Sequence, residues 1–81
     1  MSKLQEMRNK AGLSQSQLAN LSGINVGTLR HYEQGSKNFD HARIDTILRA
    51  CIALDCKMED ILDDEEYIEL LKEYAKKEES H

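Results

Sequence analysis

An all-α fold is the class this 81-residue sequence predicts. Three observations carry the prediction. The chain has no proline and only four glycines, so little interrupts its runs of helix formers. Gly12, Gly23 and Gly35 each stand just past an apolar segment of helical period, where a helix stop belongs. Ser14, Asn25 and Asp40 stand where helix starts belong.

The elements follow in order. Leu4, Met7, Arg8 and Ala11 space a first helix over about 2–11, stopped by Gly12. Ser14 caps a second helix over 15–22. Gln17, three residues on, makes a capping box, and Leu13 with Leu18 makes a hydrophobic staple. Asn25 caps a third helix over 26–34, with Ile24 and Leu29 as staple and Gly35 as stop. Asp40 is the expected cap of a fourth helix, with Phe39 and Ile44 as staple and Ile44, Ile47, Leu48, Cys51 and Leu54 as its buried stripe. A short fifth helix at 58–62 brings Met58, Ile61 and Leu62 to the core behind a poor cap, Lys57. Residues 63–81 form an acidic amphipathic helical tail. Its acids come early and its lysines late, which suits the helix dipole, and the final EESH is expected to fray. Tyr67, Leu70, Leu71, Tyr74 and Ala75 share one face of the tail.

Composition narrows the function. The net charge of −4 hides a split: residues 1–50 carry seven cations against four acids, and residues 51–81 carry four lysines against eleven acids. A polyanion can meet the first half but not the second. No apolar run approaches the length needed to span a membrane, and the amino terminus lacks a signal-peptide core. A soluble cytoplasmic protein is the expectation. Two cysteines, Cys51 and Cys56, make neither a disulfide framework nor a four-ligand zinc site, and read as buried thiols. His31, His41 and His81 have no metal-ligand spacing, and no nucleophile–base arrangement or phosphate-cradling glycine loop occurs. The expected protein is not an enzyme and uses no metal or cofactor.

The third helix, within INVGTLRHYEQG at 24–35, is short and weak, with a glycine near its front and Arg30, His31 and Gln34 on its open face. Two such short helices joined at Ser22-Gly23-Ile24 form a helix-turn-helix pattern. LSQSQLANLSGINVGTLRHYEQG, residues 13–35, resembles the lambda-repressor-like (Xre/Cro) DNA-binding family. Leu13, Ser14, Gln15, Leu18, Ala19, Gly23, Ile24, Leu29, Tyr32, Glu33 and Gly35 match its motif. Residues 44–62 resemble its fourth and fifth helices. The resemblance therefore divides the chain into a DNA-binding domain at 1–62 and the tail at 63–81. Asn25 departs from the usual Ser or Thr, Cys51 from the usual Ala, and the segment 39–43 is longer than average.

The resemblance implies that helix 26–34 lies in the major groove of double-stranded DNA. Val26, Gly27, Arg30 and His31 would then meet base edges, with Gly27 admitting the backbone and Val26 meeting a thymine methyl. Gln15, Asn25, Thr28, Gln34 and Lys37 would hold phosphates. Arg8 and Glu33 would form a structural ion pair. The implied function is a sequence-specific transcriptional regulator, most simply a repressor that blocks promoter access. Such families usually bind inverted repeats as dimers. Tyr67, Leu70, Leu71 and Tyr74 are the candidate contacts, by pairing with a second copy, folding back on the domain, or holding another protein. The alternative function is an antitoxin or other protein-interaction module whose acidic tail holds its partner.

Overall fold

The computed structural model describes residues 2–79. Five α-helices and two 3-10 turns follow in order: α1 (Lys3–Lys10), α2 (Gln15–Ser22), α3 (Val26–Gln34), a 3-10 turn (Phe39–His41), α4 (Ile44–Leu54), a 3-10 turn (Met58–Asp60) and α5 (Glu65–Glu79). The all-α class holds, with no strand among the described residues.

The first three helices begin on side-chain caps. Ser2 Oγ accepts from Gln5 N at 3.1 Å. Ser14 and Gln17 form the reciprocal capping box, at 3.1 and 2.8 Å. Asn25 Oδ1 accepts from Gly27 N at 2.8 Å and Thr28 N at 3.2 Å. Gly23 ends α2 with φ 74°, a left-handed turn that favours glycine and lets α3 start three residues later.

α4 packs across α2, and α2 packs against α3. The core between them holds Leu4, Leu18, Leu29, Ala50 and Ile61, all essentially inaccessible to water. Phe39 meets Tyr32 edge to face at 5.2 Å and joins the core. It therefore does not staple to Ile44, which is 61% exposed. Leu48 is exposed as well. The buried stripe of α4 is instead Ile47, Ala50, Cys51 and Leu54, and Ile44, Leu48 and Ile52 form a second, outward row at i, i+4, i+8.

Asp40 is not the cap of α4. Asn38 Oδ1 caps the turn at 39–41 through Asp40 N, so Asp40 lies inside that turn. Its carboxylate accepts from Asp63 N at 2.9 Å and Asp64 N at 3.1 Å, tying the turn to the approach to α5. α4 starts at Arg43 without a side-chain cap.

The short fifth helix takes the form of the 3-10 turn. Lys57 has no acceptor with which to cap it, and Asp60 Oδ2 accepts from Lys57 N instead. Ile61 and Leu62 still reach the core. α5 is anchored by Ile68, with Tyr67 and Leu71 packed against the core. From Lys72 onward its described residues are all exposed. Glu78 and Glu79 are helical rather than frayed, and Ser80 and His81 lie outside the described residues.

Candidate nucleic-acid interface

Three elements converge on one buried ion pair. Arg8 of α1 donates from Nε to Glu33 Oε2 at 2.7 Å and from Nη2 to Glu33 Oε1 at 2.9 Å. Its Nη1 donates to Leu13 O at 2.9 Å, just before the α2 cap. Gln15 Nε2, at the start of α2, donates to Glu33 Oε1 at 3.1 Å. The hydrogen bonds Arg8 donates to Glu33 push its guanidinium above its ordinary range, against the opposing cost of burial. The predicted pair is thus present, and it joins α3 to α1 beside the start of α2.

Gln15 was expected on phosphate. In the free chain its amide is tethered to Glu33, which leaves its carbonyl and second N–H for a further partner. The amides of Gln15 and Ser16 stand at the open start of α2, where an anion is favoured. Asn25 spends its carbonyl on the α3 cap and keeps its NH2 group for donation.

Arg30, His31, Gln34 and Lys37 are exposed on one side of α3 and the loop after it. Val26, Gly27 and Thr28 are half-buried at its front, where Val26 also packs against the core. A Cβ at Gly27 would lie 3.1 Å from Asn25 Oδ1, so the glycine keeps room for the cap. His31 Nδ1 lies 2.8 Å from Ser36 Oγ.

Sequence reasoning passed over three residues here. Ser16 and Asn20, one turn apart on the outer face of α2, line a polar depression with Gly23, Asn25 and Val26. Their i, i+4 spacing beside the cap was the available signal. Arg49 of α4 comes close to Gly23 from a distant part of the chain. Its Nη1 would be 3.6 Å from a Cβ placed at Gly23, so it adds a cation at the turn between α2 and α3.

The predicted contact stripe of the tail is divided. Tyr67 and Leu71 face the core, with the Tyr67 ring 5.9 Å from that of His41. Leu70 and Tyr74 are exposed. Ile44 and Leu70 border an apolar groove of about 340 Å³ between α4 and α5.

Among the described residues no group of His, Cys, Asp or Glu is arranged to hold a metal ion, and no helix is long and apolar enough to cross a membrane. No curated protein and no solved structure matches the chain. The family model described as Cro/C1-type HTH DNA-binding domain matches residues 3–66, which spans all three helices of the Arg8–Glu33 cluster and the whole of α4. The chain belongs to the Cro/C1-type helix-turn-helix DNA-binding family.

Proposed function

We propose that the protein is a sequence-specific transcriptional regulator that inserts α3 into the major groove of duplex DNA and represses by occupying a promoter. The observation that carries this reading is the shape of α3. Its front is small, with a half-buried Val26 and Gly27, and its open side bears Arg30, His31 and Gln34. The Arg8–Glu33 pair fixes the helix that bears them. Val26 and Gly27 meet base edges, Arg30 and His31 read a step further, and Gln15, Asn25, Thr28, Gln34 and Lys37 hold phosphates.

The working unit in this proposal is a homodimer joined through the outer edge of α5. Leu70 and Tyr74 are open, and from Lys72 onward the described residues of the helix are exposed. Half a helix of this length is marginal in water without a packed face.

In vitro selection from random duplex DNA at moderate salt tests the reading. The expected product is an inverted repeat with half-sites about 34–36 Å apart, one helical turn. Failure to enrich any sequence, from a sample shown to be folded, refutes it.

A further inference from the structure

The end of α3 holds a hydrogen-bond arrangement that ties one ring nitrogen of His31 to Ser36. Gly35 takes the left-handed conformation, φ 84°, and turns the chain so that Ser36 comes back against His31. Ser36 Oγ lies 3.2 Å from His31 O and 2.8 Å from His31 Nδ1. A hydroxyl has one hydrogen. A backbone carbonyl can only accept, and His31 O also accepts from Lys37 N at 3.2 Å. With the hydroxyl hydrogen on His31 O, Ser36 Oγ is an acceptor toward the ring and Nδ1 is the donor.

A neutral imidazole has one N–H and one bare nitrogen. With the hydrogen on Nδ1, Nε2 is a lone-pair acceptor. His31 is exposed and stands one helical turn beyond Gly27. In the major groove, adenine and cytosine present amino donors, at N6 and N4. Guanine presents the acceptors N7 and O6, and thymine the acceptor O4.

We infer that Ser36 is a specificity-determining residue that holds His31 as a hydrogen-bond acceptor, so that the chain selects adenine or cytosine over guanine or thymine at one position of one DNA strand. Ser36 acts through His31 and touches no base. The inference rests on the DNA-reading role proposed above.

Two measurements on the full chain test it. The first is two-bond 1H–15N correlation of the free protein, at a pH well above the ordinary imidazole range. The expected pattern is that of the Nδ1–H tautomer for His31, lost in Ser36→Ala and kept in Ser36→Thr. The second is selection and competition binding with the same three chains. The wild type and Ser36→Thr should prefer A or C by about tenfold at one position of the half-site, the usual scale for a single mismatch. Ser36→Ala should lose most of that preference and leave the others intact. An Nε2–H tautomer in the wild type overturns the inference, as does a G or T preference beneath His31. A uniform loss of affinity in Ser36→Ala, with every base preference kept, also overturns it and makes Ser36 a phosphate contact. If no DNA is enriched, the DNA-reading role fails and this one with it, and the NMR result alone then describes the free chain.

Discussion

Replacing Arg8 by Ala is the sharpest test of how this fold holds α3. The Glu33 side chain is 2% exposed, and two of its contacts come from the Arg8 guanidinium. Gln15 Nε2, at 3.1 Å, is the one that would remain, and it carries no charge. Arg8→Ala therefore leaves a buried carboxylate without its counter-ion, and Leu13 O without its donor. Breaking a buried pair from one side costs about 3–5 kcal/mol. Small domains have a total stability of about 5–15 kcal/mol, so this is a large share of it. At about 4–8 °C per kcal/mol for a domain of this size, the melting midpoint should fall by more than about 10 °C. Thermal denaturation followed by circular dichroism reads it. The double variant Arg8→Met, Glu33→Leu should recover most of that loss, because it removes the desolvated charges together. A single variant that melts within about 3 °C of the wild type would refute the assignment of a stabilising role to this pair. A double variant as unstable as the single would refute the argument from the orphaned charge.

Three further outcomes are expected. Burial pushes the Cys51 thiol up to about 12, with the neighbouring Cys56 adding to it. The folded chain then keeps a proton that the unfolded chain releases near the ordinary thiol range, so stability falls as pH rises from about 9 toward 12. Chemical denaturation across that range should show a shallower decline in Cys51→Ala than in the wild type, and equal slopes would refute the cause. Gly27→Ala sets a gain in helix propensity of less than about 1 kcal/mol against crowding of the Asn25 cap, itself worth about 1 kcal/mol. Its stability should stay within about 1 kcal/mol of wild type while its affinity for the selected site falls at least about tenfold, and wild-type affinity would remove Gly27 from the base-contacting front. Leu70→Glu with Tyr74→Lys should leave the helical spectrum intact and halve the mass in sedimentation equilibrium, whereas an unchanged mass would rule out dimer pairing through this edge.

The parts of the fold that were legible in the sequence are those whose physics is local. The bounds of α2 and α3 follow from Ser14, Gln17, Gly23, Asn25 and Gly35, each of which acts within four residues of itself. Asp40 misled for the opposite reason. It resembles a cap, but its acceptors are used by amides 23 and 24 residues away, and no window along the chain contains both. Lys3 behaves in the same way, with its ammonium on Glu59 O at 2.7 Å. At the site the contrast recurs. Gln15 was read from its place at a helix start, and its tether to Glu33 depends on how α2 and α3 cross.

α4 shows where periodicity itself runs out. Its sequence holds two apolar rows, Ile44-Leu48-Ile52 and Ile47-Cys51-Leu54, and helical spacing permits either to face inward. Packing chose the second: Ile47, Cys51 and Leu54 are buried, Ala50 beside them is inaccessible, and α4 lies against α2. The first row is left outside, with Ile52 79% exposed. Single exposed apolar residues are ordinary on a protein surface. Here Ile44 and Leu70 border one groove, so the outward row of α4 begins beside the open edge of α5. The proposed dimer edge is therefore wider than the tail helix in which the sequence first suggested it.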